Sequence, residues 1–372
     1  MNTSADPRQS MAHLPSLLQR PLTWITGKPL RGQTPLFRWN PWSRTFAGLL
    51  TLALGVTANL VALAHGGLAS FLLLPGFLFT TGGLRALYLE IAHNAVHHAF
   101  SRSRALDRFV TELFTTLTLM NGYQVFRREH VRLHHGRNGT LEDPDYRALL
   151  AWGFTPGLPL ATLRRRAVLA LFHPRVHVSY LMARLRANFL EGPGWRRAVA
   201  AIWHGGLVGG VALHGAWALL VVGYLLPLVF GFQVSSLLQM LAGEHRWGLD
   251  TPSGPARLRA LTYGRFLGDP WPKGLDARWT ARLRWFARLV FFHLPARVFV
   301  FVGNDIGPAH DVHHRRPNFD WPNAAYAREE LRARGELQDA DDVWGSLVEL
   351  VDVTLRGMSV RGRSTDAREI AA

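Results

Sequence analysis

The chain has 372 residues, no Cys and a formal net charge of +16, which comes almost wholly from Arg because Lys28 and Lys273 are the only lysines. The absence of Cys excludes disulfides and thiolate–metal ligands, so any bound metal must be held by nitrogen and oxygen atoms. Such a positive charge suits nucleic acid, an anionic membrane surface or an acidic protein partner.

The first 44 residues are polar, rich in Pro and carry six basic residues. This composition does not resemble a cleavable signal, which needs an apolar stretch behind a short basic start. We therefore expect residues 1–44 to form a cytoplasmic N-terminal segment.

Two long charge-free runs follow the N-terminal segment. No Asp, Glu, Lys or Arg occurs in the 40 residues from Thr45 to Leu84, or in the 46 residues from Ala198 to Gly243. A membrane crossing takes about 20 apolar residues, so each run is long enough for two helices. The expected breaks are His65-Gly66-Gly67 and His214-Gly215. Because lipid requires every backbone hydrogen bond to be made internally, the sequence predicts two helical hairpins.

The predicted fold is all-α and integral to a membrane, with four transmembrane helices in two hairpins and a cytoplasmic helical cap. The expected spans are residues 45–64, 68–88, 198–214 and 216–242, inside a membrane domain at 45–326 that a cytoplasmic C-terminal helix and tail at 327–372 follow. All 42 Lys and Arg lie outside the two runs, so the positive-inside rule places both termini and both long polar segments in the cytoplasm. Arg beside anionic lipid headgroups then explains the net charge, which argues against nucleic acid as a partner.

Two shorter apolar stretches are interpreted as buried or interfacial helices rather than crossings. Leu113–Phe126 has only 14 residues, and Leu289–Val302 is interrupted by Pro295 and Arg297. This interpretation keeps the last histidines of the chain on the cytoplasmic side.

Ten of the 17 histidines fall in four places on the inferred cytoplasmic side. Three places are boxes of three histidines, in which the first histidine and the one four residues later lie on the same helix face. The remaining histidine of a box lies about 100° around the helix from its neighbour. Each box can therefore aim two nitrogens at one point and a third at a neighbouring point. The candidates are His93, His97 and His98; His130, His134 and His135; His245; and His310, His313 and His314. The expected pairs are His93 with His97, His130 with His134, and His310 with His314.

These clusters indicate a metal site. Neighbouring histidines that become cationic together repel each other unless a metal holds them neutral. Imidazole suits Zn, Cu, Fe or Ni, so the ligand type alone does not select the metal. In the first box, His93 and His97 already form a complete pair without His98. His245 stands alone and is included because it directly follows the second hairpin. The other histidines are interpreted as surface or hydrogen-bonded residues: His13, His65, His173, His177, His204, His214 and His293.

Carboxylates lie near the boxes and could accept hydrogen bonds from the second nitrogen of a ligand ring. Among them, Glu90 precedes His93 by three residues and Asp311 lies inside the last box, so these two are the favoured partners. The others are Glu129, Glu142, Asp143, Asp145, Glu244 and Asp305.

The order hairpin, box, box, hairpin, box resembles the membrane fatty-acid desaturase superfamily, which includes acyl desaturases, acyl hydroxylases, carotenoid oxygenases and alkane hydroxylases. The likeness runs from about Phe46 to Tyr326. His93–Ser101 (HNAVHHAFS) looks like the first acyl-lipid desaturase box, and Arg128–Pro144 (REHVRLHHGRNGTLEDP) looks like the second. His245-Arg246-Trp247-Gly248 and Gly307–His314 (GPAHDVHH) are similar to the later family motifs.

The resemblance implies a diiron centre, with two Fe ions held by these histidines. Such a centre uses O2 and two electrons to remove hydrogen from an unactivated C–H bond of a membrane lipid or acyl substrate, while the protein binds and orients the reactants. No cytochrome b5-like segment (HPGG) is present, so the electron donor is a separate ferredoxin, rubredoxin or cytochrome. An acidic donor would be attracted to the Arg-rich surface.

Two departures leave the reaction outcome open between an acyl desaturase and an acyl or alkyl hydroxylase. The second box has three residues between its first two histidines, where acyl-CoA desaturases usually have two. Leu241 stands four residues before His245, where acyl-CoA desaturases carry an Asn. A His-rich metal carrier is a third hypothesis, but a carrier would place its ligands within its crossings. The preference for Arg over Lys indicates a GC-rich bacterial genome. We therefore expect a multi-pass protein of a bacterial inner membrane, with its active site on the cytoplasmic side that the charge distribution predicts.

Overall fold

The computed structural model of the chain describes residues 6–247, 255–273, 278–303, 307–337 and 340–361. This part of the chain is mostly helical. The N-terminal helices are Pro7–Ser10 and Ser16–Thr26, and the long apolar helices are Pro41–His65, Gly67–Val96 and Trp217–Gly243. Between them lie Arg104–Leu117, Tyr123–Phe126, Arg127–His134, His135–Arg137, Pro144–Ala151, Leu160–Phe172, Pro174–Leu185, Arg186–Leu190 and Gly194–Leu213. The last third contains Pro255–Leu261, Trp279–Arg288, Leu289–His293, Leu294–Phe299, His310–Arg315, Trp321–Asn323, Ala324–Ala333 and Leu347–Arg361. Strands Gly264–Leu267 and Asp342–Gly345 pair in parallel.

Three helices in the described part are long and apolar enough to cross a membrane, and we name them the first, second and third apolar helices: Pro41–His65, Gly67–Val96 and Trp217–Gly243. They coincide with three of the four expected spans. The remaining expected span, 198–214, falls in the helix Gly194–Leu213, which is not among the three. This helix carries Arg196 and Arg197 in its first turn, so its charge-free part is shorter than the roughly 20 residues of a full crossing.

The chain turns at both expected breaks. The first apolar helix ends at His65, and Gly66 and Gly67 have φ angles of 59° and 52°, a conformation that glycine adopts without strain. The helix Gly194–Leu213 likewise ends just before Gly215, which has a φ of 63°.

Glycines hold the first two apolar helices in close contact. A Cβ added to Gly55 would lie 2.3 Å from the Thr80 backbone nitrogen, and one added to Gly83 would lie 2.5 Å from the Leu52 backbone nitrogen. Small residues at such crossings let helix backbones approach closely in a membrane. The outer faces carry exposed apolar side chains such as Phe46, and a water-soluble protein rarely exposes so many together.

Several helices contain π-helical stretches, in which hydrogen bonds run between residues five apart. Three of these stretches lie next to the candidate histidines. They are Ala86–Ala92 directly before His93, Arg127–His134 around His130, and Met240–Glu244 directly before His245. Insertions of this kind change which side chains share a helix face.

The N-terminal segment packs against the C-terminal third of the chain. Lys28 Nζ lies 2.5 Å from an Asp342 carboxylate oxygen, and Arg297 donates a hydrogen bond of 2.7 Å to the Trp24 carbonyl. Gly27, in a left-handed conformation with φ of 79°, lies directly against Pro308. These contacts bring residues before the first apolar helix to the loop that carries the last histidine box. A helix at Leu347–Arg361 lies within the expected C-terminal segment 327–372.

Candidate metal centre

Nine of the ten candidate histidines gather into two adjacent groups. Within each group, the ligand nitrogens lie within 4.8 Å of one another. The rings of His135 and His314, one from each group, stack with their centroids 4.1 Å apart, so the groups share a boundary. Group one contains His93, His97, His130, His135 and His313, and group two contains His134, His245, His310 and His314.

The Nε2 atoms of both groups point inwards. In group one, His130 Nε2 lies 2.5 Å from His93 Nε2 and 3.1 Å from His135 Nε2. In group two, His245 Nε2 lies 3.1 Å from His134 Nε2 and 3.3 Å from His310 Nε2. The chain thus places nitrogens from four separate segments at two neighbouring points.

The second box joins group one through residues five apart rather than four. His130 and His135 belong to group one, whereas His134 belongs to group two, so the expected pairing of His130 with His134 is wrong. The physical reason is the π-helical stretch Arg127–His134, whose wider turn brings residue i+5 back towards residue i. We expected each box to supply ligands to both metal points, and the second and third boxes do so. The second box is divided as described above, and in the third box His313 lies in group one and His314 in group two.

His98 lies apart from both groups. The helix His93–Val96 ends just before it, and His98 takes a φ of 62°, which turns its side chain away from its neighbour His97. Its Nε2 accepts a hydrogen bond of 2.8 Å from Arg127 and lies 3.2 Å from the Tyr123 hydroxyl. Seven other histidines were set aside from the sequence, and within the described part of the chain they also lie outside the two groups. Buried His204, for example, bonds Tyr224 and the Thr116 carbonyl.

Hydrogen bonds donated by Nδ1–H orient two of the ligand rings. The Nδ1–H of His93 donates to the Leu89 carbonyl at 3.1 Å. The Nδ1–H of His134 donates to Asp143 at 3.0 Å and also lies 3.1 Å from an Asp145 carboxylate oxygen. A donor at Nδ1 fixes the tautomer that leaves the Nε2 lone pair free for a metal.

Asp143 is itself held rigidly, because its carboxylate accepts backbone hydrogen bonds from Gly139 at 2.8 Å and from Asp145 at 3.0 Å. The sequence placed Asp143 and Asp145 near the second box but favoured Glu90 and Asp311 as partners of the ligand rings. The Asp-Pro pair at the start of the helix Pro144–Ala151 was the available signal, since an Asp that caps a helix is fixed in place.

The two favoured carboxylates have arginine partners in the structure. Buried Asp311 faces Arg328, which donates to it at 3.0 Å and 2.8 Å, and buried Glu90 lies 3.6 Å from Arg44. Their proposed contact with ligand rings stays a prediction. The side chain of Glu244 and the whole of Asp305, also candidates, lie outside the described part of the chain.

Arg328 anchors the last box to the rest of the cap. Besides Asp311, it donates to Asp342 at 2.9 Å, and Asp342 in turn contacts Lys28. Burial lowers the pKa of Arg328, but Asp311 and Asp342 more than offset this effect and raise it above the usual value. Burial likewise raises the pKa of Asp342, but Arg328 and Lys28 together lower it to about 2. The helix that carries His310 is therefore fixed by a buried network of opposite charges.

Burial favours the neutral form of several of these histidine rings. Removal from water lowers the pKa of His97 to about 3, with the nearby Arg127 guanidinium adding to the effect. The pKa values of four other ligand candidates, His130, His135, His245 and His314, are lowered well below 6.5 by burial and then by neighbouring rings. Neutral imidazole is the form that binds metal ions.

The geometry fits one metal ion in each group. Two nitrogens bound to one ion at about 2.1 Å lie about 3 Å apart at a right angle and about 4 Å apart on opposite sides, which matches the spacing within each group. The buried Nε2 of His97 has no hydrogen-bond partner in the structure, as expected for an atom whose partner is a metal ion. A set of nitrogen ligands with no thiolate is compatible with iron.

A cavity of about 260 Å³ lies against both groups. Its wall includes His93 and His130 of group one and His134 and His310 of group two. The rest of the wall is apolar or aromatic over most of its area, as is usual for a ligand cavity. Six polar side chains also line it: Asn121, Glu129, Asp145, Gln233, Ser236 and Gln239. The main apolar and aromatic lining residues are Tyr88, Met120, Phe126, Trp152, Tyr180 and Met240.

Fold and site together define a mostly helical protein with three helices apolar enough to cross a membrane and two histidine groups that could hold metal ions. The family model for fatty acid desaturase matches residues 68–344, and the chain belongs to this family. The matched region contains every histidine of both groups. No curated protein matches the sequence.

Proposed function

We propose that this protein is an O2-dependent fatty-acyl desaturase of the membrane that holds two iron ions. The observation that carries the proposal is the position of both nitrogen groups on the wall of one largely apolar cavity. An acyl chain in this cavity would lie beside both ions at once. Family membership supports iron over zinc, which the same ligands could also bind.

Group one would hold one ion through His93, His97, His130, His135 and His313, and group two the other through His134, His245, His310 and His314. Bound iron supplies the capacity to use O2 and two electrons to remove hydrogen from an unactivated C–H bond. The chain's own residues set the orientation of the ligands. Asp143 fixes the ring of His134, and the Leu89 carbonyl fixes that of His93.

The cavity would position the substrate and exclude water. Tyr88, Phe126 and Trp152 give it an apolar surface on which a methylene chain can pack. Holding the chain beside the ions lowers the entropic cost of the reaction, and excluding water limits side reactions.

Electrons would come from a separate protein of the ferredoxin, rubredoxin or cytochrome type. Arg127, Arg128 and Arg132 line a surface depression on the helix that carries the second box. A negatively charged donor would be steered towards this surface. Arg127 also contacts His98, the neighbour of the group-one ligand His97.

We also propose four crossings, with the helix Gly194–Leu213 as the fourth. Its side chains Ile202, Trp203 and Leu213 are exposed, which suits a surface in contact with lipid. Four crossings would keep both termini and the metal groups on the cytoplasmic side of a bacterial inner membrane, as the charge distribution predicts.

Hydroxylation of an acyl or alkyl chain is the second candidate function. The observation that favours it is the wide second box, whose three intervening residues the structure accommodates in the π-helical stretch Arg127–His134. Leu241, which stands where acyl-CoA desaturases carry an Asn, is buried, and this difference also argues against a direct acyl-CoA desaturase assignment.

Two measurements test the proposal. Metal analysis of the purified protein should find two irons per chain, and the variants H134A and H313A should each lose metal. Expression in a host of known lipid content, followed by mass spectrometry, should show acyl chains that have lost two hydrogens. A gain of one oxygen would instead identify a hydroxylase, and bound metal with no lipid product would favour a metal carrier. One zinc and no iron would refute the diiron proposal.

A further inference from the structure

The carboxamide of Gln233 has no partner inside the protein. Gln233 lies in the third apolar helix, lines the cavity and is only 2 % exposed. Both its Oε1 and its Nε2 atoms are buried without a hydrogen-bond partner. A buried amide that is left unpaired is unfavourable, and polar side chains within membrane helices usually mark a functional site.

Other polar side chains of the same helix have partners. Ser236 accepts a hydrogen bond of 2.7 Å from the guanidinium of Arg85, and Gln239 also accepts from Arg85. Ser235 donates to the Phe232 carbonyl at 2.9 Å within its own helix. Arg85 therefore satisfies the polar groups nearer the histidines, whereas Gln233 faces the cavity with both atoms unpaired.

Gln233 and histidines of both groups line the same cavity. Along the third apolar helix, Gln233 lies ten positions before Gly243, which corresponds to about 15 Å at the rise of an α-helix. His93 of group one and His134 of group two contribute to other parts of the cavity wall. A substrate chain held beside the histidines would thus also contact Gln233.

We propose that Gln233 hydrogen-bonds a polar group on the substrate chain, and that this group both donates and accepts. Oε1 needs a donor and Nε2 needs an acceptor, so a hydroxyl or a carboxamide satisfies both atoms. A hydrocarbon end satisfies neither, and an ester carbonyl satisfies only Nε2. The inference rests on the proposed function and narrows its substrate to acyl chains that bear such a polar group in addition to the carbon that is oxidised.

The test compares three methyl dodecanoates that end in a methyl, a hydroxyl or a carboxamide group. Their affinities for the full-length, iron-loaded protein in lipid nanodiscs are measured by calorimetry without electron donor. The wild type should bind one or both polar-ended esters about tenfold or more tightly than the plain ester, because their group pairs the buried amide. The hydroxyl and carboxamide arms identify which of the two groups the site accepts.

The variant Gln233→Met keeps a side chain of similar length and removes the amide, so it should bind the three esters within about twofold of one another. The control Ser235→Ala changes a buried side chain of the same helix whose hydroxyl is already paired, and it should keep the wild-type preference. Equal affinities in the wild type, or a preference that survives in Gln233→Met, would overturn the assignment. Adding an electron donor and O2 distinguishes the proposal for Gln233 from the proposal that the protein is a desaturase. Oxidation of the esters without any preference refutes only the role of Gln233, and preference without oxidation refutes only the desaturase.

Discussion

Replacing Asp143 by Asn should weaken one of the two metal positions and leave the other intact. Asp143 accepts the Nδ1–H of His134 at 3.0 Å, and His134 belongs to group two alone. Asn has nearly the same shape, so its oxygen can still accept from His134, but it no longer carries the charge, and its amide nitrogen cannot accept from the Gly139 backbone N–H. The change therefore removes the charge and one supporting hydrogen bond without creating a cavity.

The expected magnitude follows from the strength of the hydrogen bond. Bonds to charged groups contribute about 1.5–3 kcal/mol and neutral ones about 0.5–1.5 kcal/mol, so the substitution should cost about 1.4 kcal/mol, or tenfold in affinity. Partners of ligand histidines generally alter metal affinity by about 10- to 100-fold. Because Asp145 lies 3.1 Å from the same nitrogen, the double change Asp143→Asn with Asp145→Asn should lie nearer the upper figure.

The assay is iron content against free iron concentration, measured by mass spectrometry on purified protein. Asp143→Asn should show one position filling as in the wild type and one shifted about tenfold. The control is Glu142→Gln, which removes the neighbouring exposed carboxylate that faces Arg137 rather than a histidine. Equal weakening of both positions, or no shift in either, would refute the role of Asp143.

Three further predictions follow from other parts of the molecule. His97→Asn should lose the group-one metal. His98→Asn should keep both irons, because residue 98 lies outside the groups and Asn tolerates its left-handed backbone. Metal analysis of the two variants checks this prediction, and equal loss of iron from both would contradict it. Gly55→Ala should lower the thermal unfolding temperature, since its Cβ would meet the Thr80 backbone nitrogen, while Gly209→Ala, which meets nothing within 4 Å, should not; equal melting curves would argue against the close helix contact. Asp342 has a pKa lowered to about 2, below its unfolded value near 4, so the stability that it contributes is complete above about pH 4 and is lost as the pH falls towards 2. That contribution is about 2 kcal/mol, and acid titration of unfolding should show it missing from Asp342→Asn; parallel titration curves would contradict it.

The sequence predicted the features that depend on length, charge and local turn chemistry. The charge-free runs gave the apolar helices, and Gly66 and Gly215 marked the turns because glycine adopts positive φ without strain. The spacing of the boxes predicted two neighbouring metal points, since helix geometry separates adjacent histidines.

Features that depend on tertiary contacts could not be predicted from the sequence pattern. A π-helical stretch has no simple sequence signature, so the spacing could not show that His130 would join His135 rather than His134. Asp311 lies inside the last box, but the buried Arg328 from a later helix takes its carboxylate. Gln233 was one uncharged residue in a long run, and only the structure shows that it faces the cavity unpaired.

The ion-pair network of Lys28, Asp342 and Arg328 affects the order in which parts of the protein can assemble during synthesis. Group two draws its ligands from residues 134 to 314, and the strand that steadies the last of them is not made until residue 342 leaves the ribosome. The hairpin of the first and second apolar helices can enter the membrane long before residue 342 is made. The first two histidine boxes are already made at that stage but are not yet joined by the third. Under the proposed function, metal loading would therefore be a late event, and a chain truncated before Asp342 should insert into the membrane yet fail to retain iron in group two.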